Sequence, residues 1–547
     1  MKRIVLAILL MAQGLLTQAQ YVQNPILAGF YPDPSICRAG NDYYIVNSSF
    51  AYFPGLPLFH SKDLVNWQQI GYALDRPEQL NLDNARISGG LYAPAISYHN
   101  GLFYIVCTEV GSLGNFVITA KDPKGPWSQP VKLPQVNGID PSLYFEGDKA
   151  WIVYNSIPPD NISLHNGHRT IRQYAFDPVK LQVTGEERIL INGGTDMAKK
   201  PVWIEGPHIL KKDDWYFLIC AEGGTGYNHS EVVFRSKSPE GPFVTYEKNP
   251  ILTQRHLDPT RKDPITTTGH ADLVEGPDGK WWGVFLGCRP YDGDHYNTGR
   301  ETFIAPVSWE TGWPVFDLGG ETVKYQYPIA GIKDTKTAGF NGNYHFKDGF
   351  SDPVLNIRYR FLRTPRSSWY SLTENPGYLT LNTRSETCED KANPSFIGFH
   401  QPHLKGEATT WMKFNPTSDK EKAGLLLFQN EKAYYYICLS VKEGNTMVQL
   451  FKGKELVSSA PVKVKAGKEI GFRITANSDR YAFSYAVKKN KWITLLDNVD
   501  ARELSTKTAG GFVGCLYALY TTSNGEPSTN KARFNHFEIS NKDDIYK

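Results

Sequence analysis

An aromatic-rich strand motif recurs five times in the first 320 residues: Tyr43-Tyr44-Ile45-Val46, Phe103-Tyr104-Ile105-Val106, Ala150-Trp151-Ile152-Val153, Trp215-Tyr216-Phe217-Leu218 and Trp281-Trp282-Gly283-Val284. The second residues of these runs lie 60, 47, 65 and 66 positions apart. A second element keeps step with the first. It reads Ser61-Lys62-Asp63-Leu64-Val65-Asn66-Trp67, then Ala120-Lys121-Asp122-Pro123 with Trp127, then Phe176-Asp177-Pro178, then Ser236-Lys237-Ser238-Pro239 with Phe243. The fifth round is degenerate, around Ser308-Trp309 and Trp313. Units of this length, all strand and turn, point to radial repetition of small sheets. Five units predict a five-bladed β-propeller.

A third element opens each unit: Asp33-Pro34-Ser35-Ile36, Ala93-Pro94-Ala95-Ile96, Asp140-Pro141-Ser142-Leu143, Gly206-Pro207-His208-Ile209 and His270-Ala271-Asp272-Leu273. Each precedes its aromatic strand by a few residues, so these are equivalent positions at the start of the innermost strand of each blade. In a propeller those starts converge on the central axis. Asp33, Asp140, Glu205 and His270 are thereby expected to meet, although 237 residues separate the first from the last.

A chain of 547 residues exceeds one core. Beyond residue 330 the repeat stops, and short strands such as Ala423-Gly424-Leu425-Leu426-Leu427-Phe428 and Ile470-Gly471-Phe472-Arg473-Ile474 follow at close intervals. The pattern suits a β-sandwich. An all-β chain is expected, with the propeller over residues 20–330, a linker over 331–345 and the sandwich over 346–547. Residues 1–19 read as a cleaved signal peptide: Lys2 and Arg3, an apolar run from Ile4 to Met11, then Thr17-Gln18-Ala19. That run is far short of a membrane span. Export across the inner membrane to the periplasm is therefore expected, without membrane insertion. A formal charge of +3 with no long Lys/Arg run gives a nucleic-acid partner no electrostatic support. Seven Cys, several in apolar strand runs, read as buried free thiols rather than a disulfide framework.

A single Asp-Pro is ordinarily a turn. Two Asp-Pro-Ser openings and a Glu-Gly-Pro in register at one axis call for more, because clustered buried carboxylates cost free energy unless paired or used. Three carboxylates without a metal-ligand pattern suit acid–base chemistry on an acetal. One protonates the leaving oxygen, and a second serves water or attacks directly. A third can hold the acid's pKa up.

The segment Asn24-Pro25-Ile26-Leu27-Ala28-Gly29-Phe30-Tyr31-Pro32-Asp33-Pro34-Ser35-Ile36 resembles the opening of glycoside hydrolase family 43. Trp203-Ile204-Glu205-Gly206-Pro207-His208, Ala221-Glu222-Gly223-Gly224-Thr225-Gly226-Tyr227, Thr268-Gly269-His270-Ala271-Asp272 and Thr298-Gly299-Arg300-Glu301-Thr302-Phe303 resemble its later motifs in order. The stretch from Phe350 to Leu381 resembles the concanavalin-like C-terminal sandwich of the β-xylosidase-like members. The resemblance implies an inverting mechanism in which Asp33 is the general base, Glu205 the general acid and Asp140 the modulator of that acid. Inversion implies Asp33 and Glu205 carboxyls roughly 6.5–9.5 Å apart.

The same resemblance implies that Arg300 hydrogen-bonds sugar hydroxyls, with Arg289 a second candidate or else a salt-bridged surface arginine. Phe50 stands where relatives place an aromatic wall, and Tyr92 where they often carry Trp. Phe512 would reach from the sandwich to the rim, or else be an ordinary core residue. His270 resembles an axial histidine beside a hydrated cation, often calcium, or is a hydrogen-bonded histidine of the channel; no cofactor is required. The implied partner is a plant cell-wall oligosaccharide, cut at a terminal α-L-arabinofuranose. The alternatives are β-D-xylosidase or dual activity, a retaining fructosidase-like enzyme, and a non-catalytic sugar-binding protein. The sequence says nothing about the oligomeric state.

Overall fold

A computed structural model describes residues 20–330, 339–465 and 467–546. The first part is a five-bladed β-propeller, and the repeat maps onto it blade by blade. The five openings lie just before or within the inner strands Ser35–Ala39, Gly90–His99, Ile139–Glu146, Glu205–Lys212 and Thr266–Glu275. The aromatic motif forms the second strands, Asp42–Val46, Leu102–Val110, Lys149–Ser156, Trp215–Glu222 and Trp281–Cys288, each antiparallel to its inner neighbour. Their alternating large side chains fill the space between blades, as Ile45, Ile105, Ile152, Leu218 and Val284 are fully buried.

The second repeated element is a turn built the same way in several blades. Asp63, Asp122 and Asp177 each accept backbone N–H groups two residues on, through Oδ1, which is the geometry that favours aspartate in turns. Trp67 and Trp127 are buried behind it and donate their indole N–H to the carbonyls of Leu64 and Pro123.

Each blade comes from one contiguous stretch, so no blade is shared between the ends of the ring. Closure falls to the N-terminal segment. Gln20–Gln23 pairs antiparallel with Gln326–Ile329. Buried Asn24 then exchanges hydrogen bonds with Ile304 of the fifth blade, at 2.8 and 2.9 Å.

The second part is a sandwich of an eight-stranded and a six-stranded antiparallel sheet. Among the described residues the only α-helix is the single turn Thr506–Ala509, and no helix is long and apolar enough to cross a membrane. The two domains share one apolar core. Leu56, Leu58 and Leu80 of the propeller pack in continuity with Phe361, Trp369 and Phe399. A short antiparallel pair, Tyr52–Phe53 with Phe361–Leu362, crosses the boundary. Buried Arg363 follows it, donating to the carbonyls of Ala85, Asp390 and Ala392 and pairing with Glu431.

The proposed signal segment, residues 1–19, lies outside the described residues, as do 331–338 of the expected linker. The rest of that linker is not a free connection. Phe340 is buried against Tyr31 and Phe59, Asn341 is buried beside it, and His345 already begins the strand His345–Asp348. All seven thiols are free; six are buried and Cys37 is half-buried.

Candidate active site

The five opening positions share a backbone signature. Asp33, Ala93, Asp140, Gly206 and His270 have φ of 50, 30, 54, 55 and 53°, the left-handed region. The ladder to the second strand breaks at the same places, between Tyr92 and Ala95, Ile139 and Ser142, Glu205 and His208, and Gly269 and Asp272. A bulge re-aims a side chain at a cost of about 1–2 kcal/mol per non-glycine residue held left-handed. Such strain concentrates at functional sites. In the fourth blade the bulge residue must be glycine: a Cβ on Gly206 would stand 2.9 Å from His270 Nε2. The acidic side chain is accordingly displaced one position earlier, to Glu205.

These residues line one cavity of about 250 Å³ at the axis, with Asp33, Asp140, Glu205, His270 and Arg300 at its polar end. Its other walls include Phe50, Tyr92, Trp203, Thr225 and Phe512. Sites for drug-sized ligands occupy roughly 300–1,000 Å³; this one suits a single small sugar. The aromatic wall is drawn from three places in the chain. Phe50 stacks on Phe512 of the sandwich with centroids 6.1 Å apart, and Tyr92 tilts against Phe50 at 5.1 Å. Ser88 ties the wall together, its Oγ accepting from Phe512 N and its carbonyl from the Tyr92 hydroxyl.

The three carboxyls have been driven apart in protonation. Burial alone would raise Asp33, but the charge of Arg300 and the Ser48 hydrogen bond outweigh it and hold the carboxyl below its ordinary value. Arg300 Nη1 donates to Asp33 Oδ1 at 2.8 Å and Ser48 Oγ to Oδ2 at 2.6 Å. Glu205 moves the other way. Burial, then the charges of Asp140 and Asp33, raise it well above the usual carboxylate range against Arg300 and a Trp203 hydrogen bond. Asp140 is raised to about 7, by burial and then by Asp33, with the Gly206 N–H at 3.2 Å opposing. The site thus holds an ionised carboxylate and a protonated carboxylic acid around one small volume, the pairing that acid–base cleavage of an acetal requires.

Asp140, Glu205 and His270 also present donor atoms within 4.8 Å of one another. A cation ligated directly by all three would force the Glu205 proton off, so this donor set fits an acid pair rather than a bare metal. Burial lowers the His270 imidazole to about 4, which leaves its nitrogen neutral and able to face a cation that keeps its water.

Arg289 lies outside this cavity and lines a different one, at the domain boundary. The salt bridge expected of it is present, but it is buried rather than at the surface. It is buried with Glu301 in a two-pronged ion pair at 2.6 and 2.7 Å, and reaches the carbonyl of Pro402, His403 and the Tyr546 hydroxyl of the sandwich. Glu301 in turn accepts the Gly29 N–H at 2.6 Å. The pair anchors the opening segment and the second domain.

Sequence reasoning did not single out Ser48, Thr225 or Trp203. Ser48 receives the Ala93 N–H while donating to Asp33, and Thr225 accepts from Arg300 at 2.9 Å. Thr225 and Trp203 do lie inside motifs visible in the sequence; Ser48 carries no such signal.

The sequence profile of the glycosyl hydrolases family 43 matches residues 22–314, and that of the β-xylosidase C-terminal concanavalin A-like domain matches residues 347–540. A xylosidase/arabinosidase of Butyrivibrio fibrisolvens is 40% identical over 526 residues, spanning 94% of this chain and 98% of that one. A non-reducing end α-L-arabinofuranosidase of Bacteroides ovatus is 36% identical over 524 residues, 94% of each chain. Among solved structures, a family-43 enzyme retrieved from a capybara gut metagenome superposes with a TM-score of 0.86 at 39% identity, covering 93% of this chain and 96% of its own.

Proposed function

The chain belongs to glycoside hydrolase family 43 over both its domains, and from that premise we propose that it is an exo-acting, inverting α-L-arabinofuranosidase of plant hemicellulose oligosaccharides. The observation that carries the reading is the meeting of Asp33, Asp140 and Glu205 in a cavity the size of one sugar, with Asp33 paired to Arg300 and Glu205 not. A pocket rather than a groove admits only a chain end. Asp33 takes a proton from water, which attacks the anomeric carbon from one face. Glu205 gives its proton to the departing oxygen on the other. Asp140 keeps that proton in place by its charge, and Arg300 aligns Asp33 while offering its remaining N–H groups to sugar hydroxyls.

The name of the Bacteroides ovatus relative and the Tyr92 ring in the wall support arabinofuranose. The double name of the Butyrivibrio relative supports the second reading, dual arabinofuranosidase and β-xylosidase activity. The test is kcat/KM on the aryl α-L-arabinofuranoside and the aryl β-D-xylopyranoside, with Asp33→Ala as control. A ratio well above one is expected; a strong preference for the xyloside overturns the sugar assignment. NMR of the first-formed anomer should show inversion, and a retained anomer sinks the mechanism.

A hydrated calcium ion beside His270 belongs to the same reading, adding positive charge near Asp33. An unfolding midpoint and a rate both unmoved by chelation would count against it. Export directed by residues 1–19 is tested by N-terminal sequencing of the mature protein, which should begin near Gln20.

A further inference from the structure

Two residues before Glu205, Trp203 lines the pocket and its side chain hydrogen-bonds that carboxyl. The Arg169 guanidinium lies 3.8 Å from the centroid of the Trp203 ring, a stacking separation. Among the described residues the Arg169 side chain makes no hydrogen bond and no close ion pair, and the carboxyl that acts on it is that of Glu205, through space. A planar fork is thus held in place by an aromatic face with its N–H donors unused. Arginines so fixed ordinarily serve a bidentate acceptor.

The surroundings have the opposite character. Ile162 and Leu164 are 63% and 67% exposed, and Val202 is 42% exposed. They do not hang free. His165 Nε2 lies 2.6 Å from the Pro201 carbonyl, the Trp203 N–H donates to the Gly167 carbonyl at 2.7 Å, and a Cβ on Gly167 would meet Val202 Cγ1 at 2.9 Å. The third-blade loop that carries Ile162 and Leu164 is therefore seated against the segment leading to the acid. Of the three apolar residues, Val202 lines the pocket itself, and contiguous exposed apolar surface is what marks a binding site.

The pocket has room for one sugar, so the sugar to which it is linked must lie outside, next to the leaving oxygen. A neutral pyranose or furanose offers an apolar C–H face and an edge of adjacent hydroxyls. We propose that Arg169, Trp203 and the apolar rim of Ile162, Leu164 and Val202 form the subsite for the leaving sugar, with Arg169 donating to a pair of its vicinal hydroxyls. The assignment rests on the glycosidase reading above.

Arg169→Met keeps an apolar stack and removes the donors. It is to be compared with the unaltered enzyme on an aryl pentoside, which has no leaving sugar, and on an oligosaccharide carrying the same terminal pentose. Loss of hydrogen bonds to a charged group predicts a fall of about ten- to hundredfold in kcat/KM on the oligosaccharide, with a change under about twofold on the aryl glycoside. Arg169→Lys should restore part of it, because an ammonium donates but does not span a diol. The debranched oligosaccharide should inhibit the unaltered enzyme competitively and the Met variant far less. Equal losses on both substrates, or none on either, overturn the subsite. Leu164→Asp, at an exposed position that leaves the core untouched, should give the same split if Arg169→Met does not fold, and its indifference on both substrates is equally fatal. Inactivity of the unaltered enzyme on both substrates is a distinct result, which overturns the glycosidase reading itself.

Discussion

Arg300 Nη1 sits 2.8 Å from Asp33 Oδ1 while the same nitrogen reaches Thr225 Oγ1 at 2.9 Å. One guanidinium nitrogen therefore couples the ionisation of Asp33 to its orientation. Burial pushes Asp33 up and Arg300 pulls it down. Without the cation, burial wins. In Arg300→Met the Asp33 pKa should rise, so the acidic limb of the kcat/KM profile should move to higher pH. An acidic limb unmoved by the substitution would remove Asp33 from the role of base.

Glu205 obeys the reverse sign. Asp140 raises Glu205 by like charge, so Asp140→Asn should lower the Glu205 pKa and bring the basic limb of the profile to lower pH. A basic limb that stays put in this variant means that another group sets it.

Glu205→Gln should lose most activity on natural glycosides and much less on aryl glycosides with good leaving groups, which need little protonation. Asp33→Asn should be crippled on both. If the Gln variant loses equally on the two substrates, Glu205 is not the acid.

Arg289→Met leaves the Glu301 carboxylate buried without its cation. Breaking one side of a buried ion pair costs about 3–5 kcal/mol, and here it also removes contacts to the sandwich. A clear fall in the denaturant midpoint is expected from equilibrium unfolding. A midpoint within error of the unaltered protein would show that the pair is dispensable.

Phe512→Ala removes the wall that the sandwich contributes to the pocket. About 1.5–3 kcal/mol accompanies burial of a phenylalanine side chain, so KM should rise by about tenfold or more while kcat changes less. A variant with unchanged KM would make the sandwich a passive support.

The propeller was legible because radial repetition leaves its period in the chain, and the period alone brought Asp33, Asp140, Glu205 and His270 to one axis. What a period does not encode is any contact between the two domains. Arg289 illustrates this. Its partner Glu301 lies within a visible motif, but His403 and Tyr546 come from the other domain at separations with no pattern, so the sequence suggests a salt bridge at the surface where the structure buries one. Ser48 was missed for a related reason: its hydroxyl acts by bridging Asp33 to the next blade's Ala93, a relation set by packing between neighbouring sheets. The Phe340 contact with Tyr31 and Phe59 shows composition misleading outright, since a Gly- and Lys-containing stretch still delivers a buried aromatic.

The five left-handed opening positions also bear on how such a site can diverge. Their backbones are near copies, so the handedness of the substrate has to be written in side chains alone: acidic at Asp33 and Asp140, displaced to Glu205 in the fourth, imidazole at His270, and a bare methyl at Ala93. The methyl is the informative member, because it leaves the ring lopsided and gives a chiral ligand one direction in which to lie. A large residue at Ala93, which lines the cavity, would fill that side and take the direction away.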